Sequence, residues 1–187
     1  MKRKILVTVK TYSCLSLKHK EVVCTAGLTR GGRWIRIYPI PYRFMKAENK
    51  FSKYQWIEAN IIKNTADPRP ESYKIIEGIR PLDAIPTNDN WLKRRKLVLK
   101  NVYTDIDKLI CEARDINNYI SLATFKPKKI IGFHIEKEVS KLEIKKKRQT
   151  LEKQMSKQAA KFLIKQVPYK FFYSFIDENG KRSRLVF

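Results

Sequence analysis

Hydrophobic and polar residues alternate through much of the first half of the chain. Residues 33–39 show it most clearly: Ile35 and Ile37 fall on one side, Trp34, Arg36 and Tyr38 on the other. Successive side chains of a strand point to opposite faces, so this segment predicts a strand with one core face and one face of flat rings around a cation. Residues 54–63 repeat the division, with Ile57, Ala59 and Ile61 opposed to Tyr54, Trp56, Glu58 and Asn60. Residues 4–12 place Ile5, Val7 and Val9 on one face, and residues 21–28 and 73–78 complete a set of five expected strands. Arg30-Gly31-Gly32 supplies the turn into the third strand. Pro39 and Pro41 are expected to stop it, since proline cannot donate to a ladder. Residues 42–52 read as a short helix or loop, and residues 64–70 as a turn-rich loop.

From residue 87 the period changes. Thr87 or Asn88 is placed to cap a helix running through Trp91 to Lys96. Ile106, Leu109, Ile110 and Ala113 have helical spacing within residues 105–117. Residues 121–125 and 129–136 read as strands. Residues 137–165 are helix-leaning and basic, with ten Lys or Arg against three acids. The chain closes on a hairpin, residues 169–177 and 182–187, turning at Glu178-Asn179-Gly180. Its apolar end, Leu185-Val186-Phe187, is read as a sign that the natural chain continues, because a free apolar strand end invites aggregation. The expected class is α+β and β-rich, with an OB-like or small β-barrel core, inserted helices and a C-terminal β-hairpin. Two parts are expected. Residues 1–86 form a barrel-like N-terminal domain. Residues 87–187 form an α+β second half, with helices about 88–117 and 140–165 and strands about 121–136 and 169–187, and can pack with the first as one unit.

Charge gives this pattern its functional direction. The 187 residues hold 41 Lys and Arg against 18 Asp and Glu, a formal net charge of +23. Such an excess repels itself in a compact chain, and a polyanionic partner is the usual reason to carry it. With 43% hydrophobic residues the chain is no disordered polycation. No window approaches the roughly 20 apolar residues of a membrane span, and the N-terminal apolar run stops at Lys10, too short for a signal peptide. Cys14, Cys24 and Cys111 are odd in number and lack Cys-x-x-Cys spacing. They read as reduced thiols of a cytoplasmic protein, not as a disulfide framework or zinc module.

The expected partner is therefore nucleic acid, DNA or RNA, with no membrane, no cofactor and no metal. A protein partner in a larger complex is a further expectation. Trp34, Arg36 and Tyr38 share one strand face and Tyr54 and Trp56 another. If those strands pair, they form a stacking platform rimmed by Arg33, Tyr42, Arg43, Lys53 and Arg69. The run Lys145-Lys146-Lys147-Arg148 and the cluster Lys93-Arg94-Arg95-Lys96 are further candidates for phosphate contact. The competing structural reading buries Trp34 and Trp56 in a second core layer under the helices of residues 88–117.

Catalytic signals are sparse. His19 and His134 have no ligand spacing, and no phosphate-binding glycine loop or nucleophile elbow occurs. Cys24 reads as a buried thiol. A metal-dependent nuclease is the rival class. It would gather Glu58, on the polar face of its strand, with Asp67 and Glu71 of the loop that follows.

Several segments resemble a group of uncharacterised bacterial and phage proteins. They are Val7-Thr8-Val9-Lys10-Thr11-Tyr12, Val23-Cys24-Thr25-Ala26-Gly27, the run from Trp34 to Arg43, Arg69-Pro70-Glu71-Ser72-Tyr73, Ser121 to Pro127, and Pro168-Tyr169-Lys170-Phe171. The succession Cys-x-Ala-Gly, Trp-Ile-Arg and Ser-Leu followed by Lys-Pro also resembles dual OB-fold domains. That second resemblance implies a nucleic-acid-binding barrel, without assigning any chemistry.

Overall fold

The computed structural model describes residues 1–115, 117, 120–137, 141–155 and 167–186. The strands are β1 (Lys2–Lys10), β2 (Cys14–Ser16), β3 (Lys20–Leu28), β4 (Trp34–Ile40), β5 (Gln55–Lys63), β6 (Ser72–Ala84), β7 (Val102–Tyr103), β8 (Thr124–Phe125), β9 (Lys129–Lys137), β10 (Tyr169–Ile176) and β11 (Arg182–Val186). The helices are α1 (Asn88–Val98), α2 (Ile106–Arg114) and α3 (Lys141–Lys153). The protein is α+β and β-rich. It divides into two compact units, and the first runs past residue 86: it holds Met1–Ser13, Val22–Val102 and Cys111–Thr124.

In unit 1 the strands neighbour one another in the order β1-β5-β6-β4-β3, and β3 pairs again with β1. All these pairs are antiparallel except β4 with β6. The alternation read from the sequence holds except at Val9, which is 38% exposed because the β1–β3 register shifts between Val7 and Val9. Ile5, Val7, Ile35, Ile37, Ile57, Ala59 and Ile61 join Ile40, Phe51 and Ile79 in one buried cluster. Lys10 and Tyr42 close one edge of it. The Lys10 ammonium stands 3.9 Å from the Tyr42 ring centroid, and the Tyr42 hydroxyl donates to Phe51 O at 2.6 Å.

Three local expectations change. β4 runs through Pro39 to Ile40, because the β3–β4 register slips between Val23 and Thr25 and leaves Tyr38 and Pro39 unpaired with β3; an imino nitrogen there loses no β3 bond. β6 continues past Gly78 to Ala84 and carries register shifts against β5, which accommodate Pro81. Residues 42–52 hold two single 3-10 turns, Tyr42–Phe44 and Ala47–Asn49. At the start of α1, Thr87 makes no side-chain cap, and Asp89, Asn90 and Trp91 have left-handed φ values of 51°, 49° and 60°, a strained entry for non-glycine residues.

Unit 2 comprises Cys14–Glu21, Tyr103–Ile110 and Phe125–Phe187. Its sheet is β11-β10-β9, antiparallel throughout. Asp105 caps α2, accepting from the amides of Asp107 (2.8 Å) and Lys108 (3.1 Å). Those donors, the Lys108 amide foremost, hold its carboxyl below the usual range. Asp177, fully buried, ties the hairpin turn to α2: its carboxylate accepts from the amides of Lys181 (2.8 Å) and Ile106 (3.1 Å). Of the helix expected over about residues 140–165, Lys141–Lys153 forms α3 and Gln154–Met155 is not helical, while residues 138–140 and 156–166 lie outside the described residues. Phe187 does too. Residues 121–125, expected as a strand, form one only at Thr124–Phe125.

Candidate nucleic-acid interface

The expected platform required the strand of Trp34 to pair with the strand of Trp56. It does not: β6 separates β4 from β5 on one side, and β1 and β3 separate them on the other. Pairing order is set by contacts distant in sequence, which alternation alone does not encode. The two tryptophans nevertheless end one cross-strand row. Trp56 faces Leu6, Leu6 faces Leu28, and Leu28 faces Trp34. Three strand spacings put the ends about 14 Å apart along the sheet. Leu6 and Leu28 are 0% and 3% exposed, while both tryptophans are half-buried. The outward face is thus a second apolar layer at its centre and an aromatic rim at its ends.

Chain after β6 returns to this face. Arg94 of α1 lies over the Tyr54 ring at 4.2 Å and donates its Nε to Ile85 O at 2.8 Å. Tyr54 itself has φ 60°, which turns the chain into β5. Arg30, in the β3–β4 turn, lies over the Trp56 ring at 5.9 Å, and its carbonyl accepts from Lys100 Nζ at 2.9 Å. Gly32 completes that turn at φ 83°, a conformation open to glycine. Two arginine–aromatic pairs, Arg30 on Trp56 of β5 and Arg94 on Tyr54 just before it, therefore stand two residues apart in the chain. Arg33 and Lys53 are exposed nearby in sequence. The sequence had cast Arg30 only as a turn residue and Arg94 only as one of a basic run; neither pairing has a local signal.

Arg36 is not an open cation between rings. It is half-buried; Nη1 donates to Cys24 Sγ at 3.4 Å and Nη2 to Ser121 O (3.1 Å) and Oγ (3.3 Å). Ser121 in turn donates its amide and hydroxyl to the two Glu71 oxygens, at 3.0 and 2.8 Å. Cys24, Arg36, Glu71 and Ser121, from four of the segments that carried the resemblance, thus form one cluster. Tyr38 is half-buried on the same strand face.

Other expected contacts are committed elsewhere. Tyr42 closes the core edge. Arg69 grips Asp67 through Nε (2.8 Å) and Nη2 (2.6 Å), and Ser72 Oγ donates to the same carboxylate at 2.7 Å. The Arg69 side chain foremost holds the Asp67 carboxyl far below the usual range, and together these contacts fix the 64–72 loop. Arg43 is exposed. In unit 2, Lys145 and Lys146 are exposed on α3, Arg148 pairs with Glu152 at 2.8 Å, and the Lys147 side chain lies outside the described residues.

The three acids of the nuclease reading do not converge. Glu58 accepts from Lys2 (2.9 Å) and Arg80 (2.7 Å), Asp67 is held by Arg69, and Glu71 by Ser121. Hydrogen bonds from Lys2 and then Arg80 hold the Glu58 carboxyl below its usual range. Among the described residues no three His, Cys, Asp or Glu stand close enough to hold a metal ion, and no helix is long and apolar enough to cross a membrane.

Fold and site together define a β-rich α+β protein whose first unit carries a basic aromatic surface. Residues 1–100 match the family described as Domain of unknown function (DUF8758), and the chain belongs to that family. No curated protein and no solved structure matches the chain.

Proposed function

We propose that the protein binds single-stranded nucleic acid through the outward face of unit 1. The observation that carries this reading is the pair of arginine–aromatic stacks, Arg30 on Trp56 and Arg94 on Tyr54. Rings backed by guanidinium groups offer bases a stacking surface and phosphates a cation at the same place. The net charge of +23 supports the same partner.

The strand order supplies the frame. The pairings β1–β3, β3–β4, β4–β6, β6–β5 and β5–β1 return to their start, as they would around a small five-stranded barrel of the OB type. In such barrels the second and third strands and the adjoining loops contact oligonucleotides. Here those strands are β3 and β4, whose outward side chains include Cys24, Trp34, Arg36 and Tyr38. Stacking needs unpaired bases, so single strands are preferred over duplex.

Fluorescence anisotropy of labelled single-stranded and duplex DNA and RNA tests the reading. The expected result is binding to single strands that weakens steeply as salt rises from about 50 to 200 mM. Trp56→Ala and Arg30→Ala should each weaken it by about tenfold, the scale of one lost stacking contact. No single-strand binding at low salt, or binding indifferent to both salt and these substitutions, overturns it.

A further inference from the structure

We infer that Ser121 is a releasable latch: the 120–124 segment closes the outward face of β3 and β4 over Cys24 and Arg36, and its release opens that face. That the opened face receives a single strand rests on the binding reading above; the latch itself does not.

Ser121 spends its backbone and side-chain polar groups on two side chains. Its amide and hydroxyl donate to Glu71, and its carbonyl and hydroxyl accept from Arg36. Three residues on, Thr124 Oγ1 donates to Val98 O at 3.2 Å. The bonds that Ser121 makes to Glu71 and Arg36 lie outside the strand ladders, so they can break without dismantling the sheet.

Arg36 shows what the segment replaces. A guanidinium carries five donors in a fixed fork and favours a carboxylate or phosphate. Among the described residues the acceptors of the Arg36 side chain are two neutral serine oxygens and a thiol, and its buried Nε meets no acceptor. The one carboxylate in the cluster, Glu71, reaches Arg36 through Ser121. The serine oxygens stand where an anionic phosphate oxygen would pair with the guanidinium more strongly than a neutral acceptor does. A bound strand would therefore displace the latch and take over its contacts.

The test reads Cys24 as the only thiol, in a full-length Cys14→Ser/Cys111→Ser background, by the rate of alkylation. Ser121→Ala and Glu71→Ala should each raise that rate by about tenfold, the scale of one to two lost hydrogen bonds, and Ser121→Thr, which keeps the hydroxyl, should restore it. Single-stranded oligonucleotide should bind Ser121→Ala more tightly than the parent and protect its thiol. Equal labelling in all variants, with native circular dichroism, overturns the latch. Faster labelling with weaker oligonucleotide binding supports the latch but overturns its displacement by a strand, since the segment would then be part of the binding surface. Faster labelling with no oligonucleotide bound by any variant supports the latch and sinks the binding reading alone. Should Ser121→Ala fail to fold, hydrogen exchange at the Ser121 amide, in the unaltered protein and in Glu71→Ala, decides instead. Exchange quickened by Glu71→Ala or by a bound oligonucleotide supports the latch, and exchange unchanged by both overturns it.

Discussion

The two units use the same strand alternation and reach opposite degrees of closure. In unit 1 each of five strands has a neighbour on both sides, and the inward isoleucines vanish from solvent. In unit 2 the three-stranded sheet leaves Phe133, Ile135 and Leu185 about half exposed, at 50%, 57% and 56%. These residues share one face: Phe133 is opposite Tyr173, Tyr173 opposite Leu185, and Ile135 opposite Phe171. Alternation decides which side of a strand is apolar; the number of paired edges decides whether that side is covered.

Two glycines break this comparison most sharply. A Cβ at Gly27 would lie 2.2 Å from Leu6 O and 2.8 Å from Ile5 Cγ2, against a backbone fixed between two strands. Gly27→Ala should cost about 3 kcal/mol or more, the upper end of overpacking costs, read as a lowered midpoint in denaturant. At Gly132 in unit 2, the new Cβ would meet His134 Nε2 at 3.0 Å, the far end of an exposed side chain that can swing away. Gly132→Ala should stay within about 0.5 kcal/mol of the parent. Equal losses at the two sites would end the contrast between closed and open sheets.

Ion pairs extend the contrast at smaller scale. Asp67, with 12% of its side chain exposed, is held by Arg69 and Ser72. In unit 2, Arg184 and Glu136 meet at 2.7 Å, each about half exposed. Asp67→Asn should cost about 1–2 kcal/mol at neutral pH, and Glu136→Gln under about 1 kcal/mol. The Asp67 carboxyl is depressed in the folded state, so its contribution is present above the unfolded value near 3.9 and fades as pH falls toward the folded one. Denaturation of Asp67→Asn beside the parent from pH 7 to pH 2 should show the gap narrowing with acid. A gap that widens would reverse the assigned direction.

The limits of the sequence follow the same line. Ile35 and Ile37 against Trp34 and Arg36 were legible because strand periodicity is local. That β6 would lie between β4 and β5 was not, since pairing is chosen among strands tens of residues apart. Arg36 is the clearest case. Its position between two aromatic residues signalled a cation needing water or a partner, and that partner is Ser121, 85 positions away. Arg69 looked like a free rim cation beside two prolines, but Asp67, two residues back, already held it; that pairing was within local reach. The reading of Trp34 and Trp56 as either platform or second core was too coarse, because the row joining them is buried at its centre and half-open at its ends.

The smallest expected change bears on what the open sheet does. Ile135 is 57% exposed on the aromatic face of β9, so Ile135→Lys removes little buried surface and should alter stability by no more than about 0.5 kcal/mol. A charge there should instead reduce concentration-dependent association, because an exposed apolar sheet face favours contact with another such surface. Ile57→Ala, inside the closed cluster of unit 1, should do the reverse, costing about 2–5 kcal/mol by opening a cavity. Light scattering against concentration, run beside thermal melts of both variants, separates the two. If Ile135→Lys instead lowered the melt as far as Ile57→Ala does, the β9–β10–β11 face would be a working core, and the distinction between closed and open sheets would describe exposure without describing energy.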